Sequence, residues 1–281
     1  MRVRVPASTA NLGPGFDSLA LALSPVIEVS VEIAESFSIS TEGYGAGLFD
    51  DENHLAARIV REVLGHSRFA VSVKSEIPLA RGLGSSASLA LAAAAAAGSL
   101  NPLAVAVAVD GHAENAAASL MGGLVAVAVD AGEPVVSLFP LDEKYRFVVV
   151  VPEEPLATAT ARSVLPEQVT LGDAIFNLSR IGPLLAGLGD HTRMRPGLLH
   201  DRLHQSYRSS LLTFSDPILS AMVESGALGA CWSGAGSSML GLATIDSADE
   251  IRRTAQRILD EYSVEGSVWV LEADRTGLVT Q

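Results

Sequence analysis

Residues Pro78 to Ala87 (Pro78-Leu79-Ala80-Arg81-Gly82-Leu83-Gly84-Ser85-Ser86-Ala87) have types and an order suited to holding phosphate. Gly82 and Gly84 let the backbone come close to a ligand, because no Cβ stands in the way. The Ala-rich segment that follows reads as a helix, whose first N–H groups are unpaired and carry the positive end of its dipole. Ser85 and Ser86 add hydroxyls able to meet phosphate oxygens or Mg²⁺. No Gly-Lys-Ser/Thr ends the loop, so it is not a Walker A motif. It does fit G-x-G-x-x-A, the dinucleotide pattern. Against that, Pro78 to Arg81 separate the glycines from the preceding strand, and the first acidic residue after Gly84 is Asp110, too far on for a ribose contact. A tight turn capped by serine is the competing structural reading.

A second pattern is His200-Asp201-Arg202-Leu203-His204. Two histidines four apart on a helix could ligate zinc in the manner of H-E-x-x-H, with His191 as a third ligand. Aspartate in place of glutamate is one carbon short for the general base, and so short a pattern often arises by accident. Cys231 is the single cysteine, which excludes an internal disulfide and a cysteine-based metal site and fits a reducing compartment.

These groups must be carried by a mixture of strands and helices. Arg2–Val5 alternates as a short strand, Val26–Ile33 as a longer one with one buried face, and Phe69–Val73 as a third. The spacing predicts a helix over Asn53–Leu64, with Asn53 as its cap. An Ala-rich helix runs from the glycine loop to about Leu100, and Asn101-Pro102 opens another that ends at Asp110-Gly111. Leu124–Val129 and Arg146–Val151 read as strands. In the second half, helices are predicted over Leu171–Leu185, Leu198–Leu212, Pro217–Ser225 and Ala248–Tyr262, with a last strand over Ser267–Glu272. Strands and helices do not alternate as regular βαβ units, so the class is α+β. Domains are expected at residues 1–145 and 146–281, meeting across a cleft with no linker between them.

Composition narrows the partners. Lys and Arg number 19 against 32 Asp and Glu, a net charge of −13. So acidic a chain is a poor partner for nucleic acid or an anionic membrane. An anionic substrate must then be caught by a few placed arginines. Residues 82–109 carry no charge, but their serines and Asn101-Pro102 favour buried helices over a membrane span. The start, Met1-Arg2-Val3-Arg4-Val5-Pro6, has no signal-peptide character, and a cytoplasmic enzyme is expected.

Three motifs occur together: Pro6-Ala7-Ser8-Thr9-Ala10-Asn11-Leu12-Gly13-Pro14-Gly15-Phe16-Asp17 near the start, the glycine loop, and Ser233-Gly234-Ala235-Gly236-Ser237-Ser238 near the end. In this order they resemble the GHMP kinase superfamily, over essentially the whole chain. Within it the chain is most similar to homoserine kinases. His112-Ala113-Glu114-Asn115 with Gly122-Gly123 resembles their His-Pro-Asp-Asn…Gly-Gly segment. Thr158 to Arg162 with Leu165-Pro166 resembles Thr-x-x-x-Arg…Leu-Pro, and Leu203-His204-Gln205-Ser206-Tyr207-Arg208 resembles Leu-His-Gln-Pro-Tyr-Arg. The departures are Ala113 for proline, Glu114 for aspartate, Ser237-Ser238 for a Pro-Ser pair, and a missing glycine near Leu19-Ala20-Leu21.

The resemblance implies a two-part fold, with an N-terminal part like domain 2 of ribosomal protein S5, including a left-handed crossover, and a ferredoxin-like C-terminal part. It implies ATP and Mg²⁺ as cofactors, homoserine as acceptor, a step toward threonine, and a homodimer. Arginine suits a carboxylate through its planar fork, and Arg162 and Arg208 are the matching residues. Asp17 matches the partner of the substrate ammonium, with Asn11, His112 and Thr158 as further polar contacts. The loop from Pro78 to Ser86 would bind ATP, with Ser86 and Asp110 on the metal. Asn53 and Lys74 are candidates for the adenine. Asn115 stands where mevalonate kinases carry an aspartate base. An amide cannot take a proton, so Asn115 and Arg162 would act by positioning and charge stabilisation. Two alternatives share the fold: a kinase of another hydroxy acid (shikimate, pantoate or mevalonate), and a non-catalytic ligand sensor.

Overall fold

The computed structural model describes residues 1–281. Alternation in the first half builds β1 (Arg2–Ala10), β2 (Leu19–Ile33) and β3 (Ser38–Gly43). Next come α1 (Leu55–Leu64), β4 (Phe69–Ser75), α2 (Ser85–Ala96), α3 (Pro102–Asp110) and α4 (Glu114–Met121). The hairpin of β5 (Leu124–Asp130) and β6 (Glu133–Phe139) precedes β7 (Tyr145–Pro152). Then follow α5 (Thr158–Ser163), α6 (Leu171–Gly189), α7 (Gln205–Arg208), α8 (Ser215–Glu224), β8 (Gly229–Trp232), β9 (Met239–Thr244), α9 (Ala248–Glu261), β10 (Gly266–Leu271) and β11 (Val279–Thr280).

Seven strands form the first sheet, in the order β11-β1-β2-β4-β3, with β5 on β2 and β6 on β5. Only β3 and β4 pair in parallel, joined by α1 as a βαβ unit. Four strands form the second sheet, β10-β7-β9-β8, all antiparallel. The period of two along β7 decides how the sheets share a core. Phe147, Val149 and Val151 join the residues of the first sheet, whereas Val148 and Val150 face α8 and α9. One apolar core therefore runs through both sheets, and α8 and α9 close the outer face.

The uncharged segment 82–109 divides into α2 and α3. Ala87 and Ala90 to Ala94 are fully buried, so α2 is surrounded on all sides. Its alanines let β1, β2, α1 and α3 approach closely. No helix is long and apolar enough to cross a membrane.

Two sequence expectations change here. The cap of α1 is His54, whose Nδ1 accepts from the Ala56 amide at 3.1 Å, and not Asn53. Burial lowers the pKa of His54 and keeps that nitrogen bare, against the opposing pull of Asp50 and Asp51. The helix expected over Leu198–Leu212 exists only as α7 between 3₁₀ turns. The Asp201 carboxylate accepts from the backbone amides of Leu203, His204 and Gln205, at 2.7–2.8 Å, which competes with helix bonding. The two histidines are thereby separated: His200 is exposed, while His204 is buried against Gly13. The zinc reading fails on that geometry.

Candidate active site

The three sequence motifs meet through hydrogen bonds. The Ser233 hydroxyl donates to the Gly82 carbonyl at 2.7 Å and lies within hydrogen-bond distance, 2.8 Å, of Thr9 Oγ1. Asn11 Nδ2 donates to the Gly234 carbonyl at 2.8 Å, and the Gly234 amide donates to the Ala10 carbonyl at 3.1 Å. Such close approach requires Gly82, at φ 69°, because a Cβ there would collide with the Ser233 carbonyl. The strained first motif holds Asn11 at φ 73°, Leu12 at φ 45° and Asp17 at φ 53°. Non-glycine residues in this region are uncommon and gather at functional sites.

Between the motifs lies a cavity of about 270 Å³. Gly84 caps α2 in the left-handed conformation, and no side chain bonds the first turn of the helix. Its free N–H groups therefore form an anion-binding end beside Ser85 and Ser86. Asp110, at the end of α3, faces Ser86. Burial pushes the Asp110 carboxyl up, while His112, Arg162 and the Ser86 hydroxyl act to lower it. His112 Nδ1 donates to the Asp110 carbonyl at 2.9 Å, which leaves Nε2 as its free nitrogen. Asn115 Oδ1 accepts from the Ser8 hydroxyl at 3.0 Å.

The far end of the cavity is cationic. Arg162, on α5, makes a two-pronged ion pair with Asp17 at 2.6 and 3.1 Å. Arg208 is fully buried and donates from Nε to the Ala161 carbonyl at 3.2 Å. Its Nη1 donates to the Gly234 carbonyl at 3.0 Å and to His204 Nδ1 at 3.1 Å, so Nη2 is left without a protein partner. Burial and the neighbouring Arg162 lower the Arg208 pKa to about 10. Both guanidinium groups sit over the Phe16 ring, 5.3 and 5.4 Å from its centroid.

Asn11, Asp17, Arg81, Gly82, Gly84, Ser85, Ser86, Asp110, His112, Asn115, Thr158, Arg162 and Arg208 all line this one cavity. The three nitrogens of Arg81 donate to the carbonyls of Leu79, Pro152 and Glu153, which leaves one N–H on each terminal nitrogen. Pro78 and Leu83 are buried within the loop and shape it from behind. Asn53 and Lys74 are exposed and line neither this cavity nor its neighbour. That neighbour, also of about 270 Å³, joins the first along Ala80, Ser85 and Ser86. Tyr44, Phe49, Leu55, Leu79 and Leu89 make it apolar, a lining suited to a flat base.

Sequence reasoning missed that apolar cavity, the Phe16 platform and Glu114. The Glu114 side chain is buried at the start of α4 and lines the first cavity. Burial chiefly raises its pKa, and Asp17 and Asp110 add to the rise. Its place beside Asn115 was the available signal.

The free N–H groups at the start of α2, the oxygens of Ser86 and Asp110, and the guanidinium groups of Arg162 and Arg208 thus share one cleft. Residues 53–123 match the GHMP kinases N terminal domain, and residues 183–261 match GHMP kinases C terminal. A homoserine kinase from Moorella thermoacetica is 39% identical over 254 residues, covering 85% of this chain and 86% of that protein. One from Thermosynechococcus vestitus is 36% identical over 98% of this chain and 97% of its own length. This chain belongs to the homoserine kinase family of GHMP kinases. The crystal structure of homoserine kinase from Cytophaga hutchinsonii superposes with a TM-score of 0.87 at 26% identity, covering 99% of this chain and 96% of that one. Mevalonate kinase from L. major, at 15% identity and a TM-score of 0.73, shares the GHMP kinase fold. That two-part α+β fold is the one expected from the three motifs.

Proposed function

We propose that the protein transfers the γ-phosphoryl group of ATP to the side-chain hydroxyl of L-homoserine. The carrying observation is that Asp17, Arg162 and the free edge of Arg208 lie in the same cavity as the uncapped start of α2. Homoserine is a zwitterion with a terminal hydroxyl. Its ammonium takes the Asp17 carboxylate, and its carboxylate takes Arg208 and the fork that Arg162 gives up. The hydroxyl then points toward the phosphate end.

ATP lies across both cavities in this reading, its base against Tyr44, Phe49 and Leu55 and its phosphates on the amides of the first turn of α2. Ser86 and Asp110 fit Mg²⁺, since both offer hard oxygen and stand side by side. Held there, the ion would supply positive charge to offset that of the phosphates. Asn115, held by Ser8, orients the acceptor and cannot remove its proton. Transfer therefore proceeds by alignment and charge stabilisation: the acceptor oxygen bonds to the γ-phosphorus as the bond to the ADP oxygen breaks, and the hydroxyl proton leaves late, to solvent or an oxygen of the transferred group.

The test is identification of the product by phosphorus NMR after incubation with Mg-ATP and homoserine. A phosphate monoester on the side-chain oxygen supports the proposal. ADP formed with inorganic phosphate only would refute it.

A further inference from the structure

We infer that His204 is a positioning residue, whose neutral ring, protonated at Nε2, aims Arg208 at the carboxylate of the acceptor. The inference rests on the reading of Arg208 given above. Two contacts fix the tautomer. The Gly13 carbonyl can only accept, so the nitrogen 2.8 Å from it, Nε2, carries the hydrogen. Arginine can only donate, so Nδ1, 3.1 Å from Arg208 Nη1, offers its lone pair. A ring protonated at both nitrogens would lose that bond and set two cations in contact.

Packing holds the ring in place. His204 is completely buried and stacks on Phe16, with centroids 4.9 Å apart and planes inclined by 21°. Phe16 in turn supports both arginines. Three charged groups act on the ring: Arg208, Asp17, and Asp201 with Oδ2 3.7 Å from Nε2. Asp201 does not take the ring proton, because its oxygens already accept from three backbone amides and from Asn177. Burial is the largest cause of a His204 pKa of about 4, with Asp201 opposing it.

The consequence lies with Arg208. Its other anchors are the carbonyls of Ala161 and Gly234, so His204 is the one side chain that hydrogen-bonds it. Together the three bonds fix the guanidinium plane and leave Nη2 without a protein partner, on a side chain that lines the cavity. Without the ring lone pair, the fork can turn about its remaining contacts, and carboxylate recognition should suffer before anything else.

The experiment compares wild type, His204→Phe and His204→Gln on homoserine and on 3-aminopropan-1-ol, which has the same amine and hydroxyl without the carboxylate. His204→Phe keeps a ring on Phe16 and removes both nitrogens. We expect kcat/KM for homoserine to fall about 10- to 100-fold, the scale of one charged hydrogen bond. KM for ATP and activity on the amino alcohol should stay within about 2-fold. His204→Gln, which offers both a donor and an acceptor, should recover part of the loss. In an Arg208→Ala background, His204→Phe should cost homoserine nothing further. Equal losses on both acceptors, or additive losses in the double variant, would overturn the inference. Nitrogen NMR of the wild-type ring gives a test that needs no variant: the Nε2–H tautomer at neutral pH is required, and the other tautomer or a cation would refute the assignment. Lack of wild-type turnover on homoserine would instead refute the substrate reading.

Discussion

Arg162 and Asp17, 145 positions apart in the chain, face each other fork to fork in the lining of the cavity. Each neutralises the other before substrate arrives. A zwitterion can take this pair apart without stranding either charge, because it brings one charge of each sign. A plain hydroxy acid would leave Asp17 unpaired. Replacing Arg162 by alanine should raise KM for homoserine about 10- to 100-fold while leaving KM for ATP nearly unchanged. Steady-state kinetics with each substrate varied would show this. Wild-type homoserine affinity in the variant would contradict the carboxylate role.

The oxygens of Ser86 and Asp110 lie together beside the first turn of α2. Ser86→Ala and Asp110→Asn should each shift the Mg²⁺ concentration for half-maximal activity upward, by about 10-fold or more. Titration of activity against Mg²⁺ reads this directly. An unchanged midpoint in both variants would remove these residues from the metal.

Gly82 touches the backbone of Ser233 at a positive φ. Alanine there adds strain of about 1–3 kcal/mol and forces the two loops apart. Calorimetry should find ATP binding weakened at least about 10-fold in Gly82→Ala, with the helical circular dichroism preserved. Wild-type ATP affinity would show that the loop contact does not shape the phosphate site.

Stability should depend on pH through His204. Its folded pKa of about 4 lies below the ordinary value of 6.5. Between these values the unfolded chain binds a proton that the folded chain excludes. The contribution is therefore complete above pH 6.5 and is lost as pH falls toward 4. Asp110 and Glu114 act in the opposite sense, because burial raises their pKa values. The decisive quantity is thus a difference: the fall in thermal midpoint from pH 6.5 to 4 should be smaller in His204→Phe than in wild type. Parallel curves would contradict a buried neutral His204.

Much of this site was legible because its parts are local signals. Gly82, Gly84 and the alanines of α2 announce a loop that opens a helix, whatever surrounds them. Asn101 before Pro102 starts α3, and its side chain does accept from the Ala104 amide. The misses have physical causes. Leu198 to Leu212 has helical apolar spacing, but Asp201 draws three amides away from helix bonding. Polar β3 gains its place by pairing with β4, a partner 32 positions on at Ser38↔Ala70, which no local pattern reports. The apolar cavity draws Tyr44 and Phe49 from the loop between β3 and α1, Leu55 from α1 and Leu89 from α2. Asn53 and Lys74, the adenine candidates, do not line it.

A zwitterionic acceptor matches this cleft, because Asp17 meets its ammonium and Arg162 and Arg208 meet its carboxylate in the proposed reading. The most direct measurement is ADP release from Mg-ATP with homoserine, mevalonate, shikimate, pantoate, serine and threonine compared side by side. Strong turnover is expected with homoserine and little with the others. Preferred turnover of an acid that lacks the ammonium group would contradict it, and with it the roles given to Asp17, Arg162 and Arg208.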